Sequence, residues 1–251
     1  MSRVVCWFSC GAASAVATKL ALKKYGERVV IAYIDVGGEH PDNERFVTDC
    51  ERWFGKSIQR LKSAKYKDAR QLWRERRFIV TPKGALCTTE LKKVVRFAFQ
   101  RPDDIQVYGY TLEERDRATR FRLQNFEVTL ETPLIDEGLT KQECFGLISQ
   151  AGIEIPAMYK LGFQNNNCIG CCKGGMGYWN RVRVHFPPVF EETALIEREL
   201  GFAILRDGNG TPVFLDELDP ARGNIAGEPN FECNLLCQSV DLEAGRSGER
   251  G

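Results

Sequence analysis

Two thiols stand three residues apart in Cys168-Ile169-Gly170-Cys171, followed at once by Cys172. This spacing across a glycine-containing turn lets two sulfurs converge on one metal ion or one corner of an iron–sulfur cluster. A C-x-x-C pair also serves dithiol redox chemistry, but such pairs open a helix after the first strand of a small βαβ fold. This one lies late in the chain, after the polar run Gln164-Asn165-Asn166-Asn167. A purely structural turn is the third reading. A tetrahedral site or a cubane takes four ligands, so Cys168 and Cys171 need partners. Cys87, beside a helix start in a polar Thr-Thr-Glu context, is one candidate, and either Cys233 or Cys237 is the other. Cys172 reads as a spectator. Cys6, Cys10, Cys50 and Cys144 fall in apolar or small-residue segments, where buried structural thiols are the default.

A second constellation lies near the start. The apolar run from Val4 enters a turn of small residues, Ser9-Cys10-Gly11-Ala12-Ala13-Ser14, and a helix is expected from Ser14. Small side chains let an anion approach the backbone N–H groups, and the helix adds the positive end of its dipole. Many α/β domains open in this way with no ligand at that place.

The elements that must position these groups follow from periodicity. Val29 to Ile34 is a continuous apolar run of strand length, the pattern of a parallel strand covered on both faces, and Asp35 closes it. Strands near 57–61 and 105–110 alternate with helices expected over 14–25, 45–54, 68–77 and 113–121. That alternation predicts an α/β fold: a Rossmann-like open, mostly parallel sheet with helices on both faces. Residues 1–138 form this predicted domain. From Thr140 the texture changes, predicting a helical, cysteine-containing extension over 139–242 and a disordered tail over 243–251. Ligands of open parallel sheets sit beyond the carboxyl ends of the strands, where Ser9 to Ser14, Asp35 to Pro41 and Tyr108 to Arg117 all fall.

The bulk properties narrow the class. The chain has 251 residues, 43% hydrophobic and 27% charged, with a formal net charge of +1. That balance argues neither for nor against nucleic acid, and the Arg74 to Arg77 and Arg115 to Arg122 clusters read first as solvated helix faces. No tripartite leader and no apolar run of membrane length are present, so no membrane is expected and the cytoplasm is the expected compartment. Ten cysteines in a compartment that keeps thiols reduced point to metal, cluster or redox chemistry rather than disulfides.

These residues also carry a resemblance. Ser9-Cys10-Gly11-Ala12-Ala13-Ser14 resembles the S-G-G-x-D-S cradle of the PP-loop ATP pyrophosphatase and adenine nucleotide α-hydrolase superfamily. Asp35-Val36-Gly37-Gly38-Glu39-His40-Pro41-Asp42 resembles the D-T-G-x-x-x-P-E signature of its phosphoadenosine phosphosulfate (PAPS) reductase-like branch. Cys87-Thr88-Thr89-Glu90-Leu91-Lys92 resembles that branch's C-x-x-x-L-K segment, and Gly109 with Arg117 or Arg120 its later substrate loop. The cysteine motifs at Cys168-Cys171 and Cys233-Cys237 are similar to those of PAPS reductase-like proteins of phages and mobile elements. Related sulfur-handling members hold a 4Fe-4S cluster.

The resemblance implies an adenine-nucleotide-dependent sulfurtransferase or reductase. Ser9, Gly11 and Ser14 would cradle a phosphate or sulfate, and Asp35 would recognise the ribose or a metal. Lys92, Arg117 and Arg120 would neutralise anionic oxygens. Cys87, Cys168, Cys171 and Cys237 would hold the 4Fe-4S cluster, with zinc as the alternative. Cys233 would be the nucleophilic or exchange thiol, and the roles of Cys233 and Cys237 are interchangeable. Cys10 stands where the superfamily has Gly, and Ala13 where ATP-cleaving members carry an Asp that organises Mg²⁺. Ala13 therefore favours an already activated nucleotide such as PAPS over ATP. Glu232-Cys233-Asn234-Leu235 keeps the Glu-Cys-x-Leu skeleton of the thiol-type reductases without their Gly and His. The expected partners are an adenine nucleotide, a sulfur donor or thioredoxin-like reductant, nucleic acid, and a second copy of the chain. A nucleic-acid-binding or assembly protein that kept the fold without catalysis is the alternative, motivated by Ala13 and the arginines of 115–122.

Overall fold

The structure is a computed structural model that describes residues 2–81 and 84–228. Cys233, Cys237 and the 243–251 tail lie outside the described residues. In chain order the elements begin with β1 (Val4–Trp7), α1 (Ala12–Tyr25), β2 (Val29–Asp35), α2 (Asn43–Phe54), β3 (Ile58–Lys62) and α3 (Ala69–Arg76). A hairpin of β4 (Val80–Thr81) and β5 (Gly84–Ala85) precedes a π-helical turn at Thr88–Lys93 that runs into α4 (Val94–Phe99). Then come β6 (Ile105–Val107), α5 (Arg115–Gln124), β7 (Thr129–Glu131), α6 (Pro133–Asp136), α7 (Lys141–Gln150) and α8 (Ala157–Lys160). The remainder is α9 (Met176–His185), α10 (Pro187–Leu200) and a second hairpin, β8 (Leu205–Arg206) with β9 (Pro212–Val213).

Five strands form one parallel sheet in the order β3-β2-β1-β6-β7. Val4 lies opposite Val29 on one side and Ile105 on the other. The chain winds outward from β1 in one direction and then, from β6, in the other, so the order reverses between β1 and β6. At such a reversal neighbouring crossovers leave on opposite faces and open a crevice at the strand ends. The period of two assigns the faces. Val4, Cys6, Phe8, Ile31, Tyr33 and Val107 join a buried core with residues of α1, α2 and α7. On the opposite face Trp7 meets Phe99 of α4 edge-on, and Tyr108 packs near Phe121 of α5. The protein is thus an α/β fold with a five-stranded parallel sheet flanked by helices on both faces.

The packing divides the described chain into two compact units that interleave in sequence. The first contains the chain to Asp35, His40–Lys62 and Val95–Lys160, which is the sheet with its helices. Residues 139–160, grouped with the extension by sequence texture, pack here: Cys144 and Ile148 of α7 belong to the core around α1. The second contains Val36–Glu39, Ser63–Val94 and the chain from Leu161. Here α3 and α10 are joined by Arg70–Glu192 and Arg74–Glu192, both at 2.9 Å. A small core of Trp73, Ile79, Ala85, Cys172 and Ile196 lies between elements of this unit. Among the described residues no helix is long and apolar enough to cross a membrane.

Candidate functional site

In the first unit, the turn after β1 is closed by its own hydroxyls. Ser14 Oγ accepts from the Ser9 N–H at 3.0 Å and from Ser9 Oγ at 3.1 Å, and donates to the Gly11 carbonyl at 2.9 Å. The helix begins at Ala12, two residues before the expected start, with Gly11 at its N-cap. Ser14 thus sits in the first turn and acts as the staple that shapes the cradle. The first N–H groups of α1 lack intrahelical acceptors by helix geometry, and they open beside Ser9, which is exposed. Cys10 has φ +56°, the left-handed region that glycine enters at no steric cost. The turn keeps a glycine-like backbone at Cys10 while its thiol is fully buried.

Gly109, following β6, closes the other side. A Cβ there would lie 2.7 Å from the Ser14 nitrogen and 2.9 Å from the Ala13 carbonyl carbon. Only glycine lets the β6 loop lie against the first turn of α1. A third wall comes from α8: a Cβ on Gly11 would stand 3.2 Å from the Tyr159 hydroxyl. Tyr159 carried no signal in the sequence, because nothing local links position 159 to position 11. Asp35 ends β2 at the same edge of the sheet as Ser9 and Gly109. Arg117 donates to Glu114 at 2.7 Å and lies 5.6 Å from the Tyr110 ring centre. Arg120 is exposed on α5. The structure therefore brings Ser9, Gly11, Ala12, Ala13, Ser14 and Gly109 together, leaves Arg117 engaged with an acid, and sends Arg120 to solvent.

The second unit holds the other candidates. Gly37 has φ +71°, and a Cβ would fall 1.9 Å from the Lys67 carbonyl oxygen. Gly38 accepts the Ile169 N–H at 2.8 Å, which ties residues 36–39 to the cysteine loop within this unit. Tyr178 organises that loop. The Cys171 N–H donates to its hydroxyl at 2.9 Å, and the hydroxyl donates to the Cys168 carbonyl at 2.9 Å. Burial, with the charge of Cys171 nearby, holds the Tyr178 phenol well above its ordinary value. The Glu228 carboxylate accepts from the Gly177 and Tyr178 N–H groups at 2.5 and 3.2 Å, capping α9 immediately after the loop. Tyr178 is buried, and its hydroxyl fixes the C-x-x-C backbone.

Cys87 occupies the N-cap position of the π-helical turn, with no side-chain capping bond there. Lys92, on that turn, is buried. π-Turns inside helices are uncommon and frequent at functional sites. Cys172, the spectator of the sequence reading, is the thiol that meets Cys87. Their hydrogen bond, followed by burial, pushes the Cys172 thiol well above its ordinary value. Cys6 and Cys50 are raised by burial and, like Cys144, are fully buried. Among the described residues no three His, Cys, Asp or Glu side chains are gathered into a metal-holding group. Of the proposed cluster ligands, Cys87, Cys168 and Cys171 share this unit, and Cys237 is outside the described residues.

No protein-family profile and no curated protein matches the chain.

Proposed function

We propose that the chain is an adenine-nucleotide-dependent sulfur-transfer or PAPS reductase-like enzyme carrying an iron–sulfur cluster. The observation that carries this reading is the small-residue cradle at the reversal of strand order, walled by Gly109, since nucleotide phosphates bind at this point of open parallel sheets. Ser9 and the N–H groups of Ala12, Ala13 and Ser14 receive phosphate or sulfate oxygens, and Asp35 takes the ribose. Arg117 exchanges Glu114 for an anionic oxygen and Arg120 adds positive charge, while Lys92 is the second unit's candidate for neutralising anionic oxygens. An ATP substrate would bring Mg²⁺; Ala13 favours PAPS.

The donor set of the second unit fits a thiolate-bound group, because soft cysteine sulfurs are the ligands that iron–sulfur clusters and zinc select. Cys87, Cys168 and Cys171, with Cys237, would hold the cluster. When bound, it would supply electrons or electrostatic stabilisation to sulfur chemistry. Cys233 is the thiol assigned to attack the activated centre as the nucleotide departs.

The test is an anaerobic binding and turnover panel of ATP, adenylyl sulfate and PAPS, with metal analysis on the same sample. Consumption or tight binding of one nucleotide together with iron is the expected result. Stoichiometric zinc without iron removes the cluster, and failure to bind any of the three removes the enzyme. In that case exposed Arg115 and Arg120 favour the second reading, a nucleic-acid-binding or assembly protein. Cys168→Ser is expected to abolish iron incorporation, and equal iron in variant and wild type refutes its ligand role.

A further inference from the structure

One charged group in the first unit has no carboxylate partner among the described residues. Arg96, on α4, is 4% exposed, yet its guanidinium meets a phenol and a ring rather than a carboxylate. Nη1 donates to the Tyr108 hydroxyl at 3.1 Å, and Nε is buried without any hydrogen-bond partner. Tyr108 in turn donates to Gln106 Oε1 at 3.2 Å, and the same oxygen accepts from the Trp7 indole at 3.1 Å. Gln106 Nε2 donates onward to Gln100 at 3.0 Å. Every acceptor in this chain of bonds is neutral, so the network carries a net positive charge inside the protein. A buried guanidinium lacking both an ion pair and a full set of acceptors is costly, and an anion placed against its fork would offset that cost.

Its location says which anion. Trp7 lies two residues before Ser9, and Tyr108 lies immediately before Gly109, so the network spans the ends of β1 and β6 where the strand order reverses. The Phe97 ring lies 4.5 Å from the guanidinium carbon and is itself 57% exposed. An exposed aromatic side chain changes rotamer readily, so the ring face of the guanidinium is the side that an incoming group would reach.

We propose that Arg96, positioned by Tyr108, is an oxyanion subsite that binds a tetrahedral phosphate or sulfate group through its guanidinium fork. The planar fork matches two oxygens of such a group, which a lysine cannot do. The subsite deepens the nucleotide reading, on which it rests for the identity of the ligand but not for the anion itself.

The experiment measures binding by calorimetry at matched ionic strength. Wild type, Arg96→Met and Arg96→Lys are titrated with inorganic sulfate, pyrophosphate, ATP and PAPS. Arg96→Met is expected to weaken pyrophosphate and the nucleotides by about tenfold or more with an unchanged far-ultraviolet spectrum, and Arg96→Lys to fall between. Phe97→Ala, which removes the ring, is expected to bind at least as tightly as wild type. If Arg96→Met does not fold, Arg96→Lys and Tyr108→Phe carry the same comparison. Equal nucleotide affinity in wild type and the Arg96 variants removes the subsite and leaves the nucleotide reading standing. Arg96-dependent binding of sulfate or pyrophosphate, with nucleotides no tighter, keeps the subsite and removes the nucleotide. A wild type that none of the four anions binds above chloride overturns both.

Discussion

The turn after β1 and the loop before α9 both gather small residues, but they are held by different means. In the cradle, Ser9 and Ser14 satisfy each other across five positions, and Gly109 and Tyr159 arrive from elsewhere. The cysteine loop is held from afar: Gly38 takes its Ile169 N–H, Glu228 caps the following helix, and Cys87 meets Cys172 across 85 positions. Local closure costs little chain entropy, whereas each distant contact must first close a long loop. The cradle is thus closed mainly by its own hydroxyls, with its walls packed against a turn already formed. The cysteine loop depends on several contacts being made together.

The largest expected effect tests the wall of the cradle. Gly109→Ala forces a methyl against the Ala13–Ser14 backbone and is expected to cost about 3 kcal/mol, read as a lower urea midpoint, with loss of nucleotide binding. A stable, binding-competent Gly109→Ala protein would break the idea that this close approach defines the cradle. On the other side of the comparison, Tyr178→Phe leaves the buried Cys171 N–H without its acceptor and should cost about 1–3 kcal/mol. It should also speed alkylation of Cys168 under native conditions, and an unchanged labelling rate would show that the loop is held without the phenol.

A pH scan sharpens the same contrast. Glu197, on α10, accepts the Ile204 and Leu215 N–H groups, and burial raises its carboxyl to about 7. Its folded value exceeds its unfolded value, so the native state holds the extra proton between about 4.5 and 7. Stability should therefore fall as pH rises through that window and level off above it, by an amount on the order of 1–2 kcal/mol. Denaturant melts at pH 5, 6, 7 and 8 check this, and Glu197→Gln should flatten the dependence. The smallest effect is at Cys10. Cys10→Gly relieves a left-handed backbone worth roughly 1 kcal/mol while removing a buried thiol, so its unfolding free energy should stay within about 1 kcal/mol of wild type.

The major elements were legible because their signals are local. The apolar run at Val29 to Ile34 made a strand wherever it paired, and the small residues of 9–14 made a turn into a helix. Thr129–Glu131 was not legible: three residues at a sheet edge have too little periodicity to register, and only pairing with β6 makes them a strand. The two hairpins of two-residue strands escaped for the same reason. The π-turn at Thr88–Lys93 was read as ordinary helix, because the extra residue per turn leaves no mark in composition.

The sequence by itself determined the α/β alternation, the small-residue turn and the thiols available for chemistry, because each depends on residue type and near neighbours. Tertiary structure alone decided which groups meet. It set Gly109 and Tyr159 against the cradle, brought Cys172 to Cys87, and buried Arg96 beside Tyr108. The reason is physical: strand order and loop closure choose neighbours over scores of residues, and no local propensity encodes that choice.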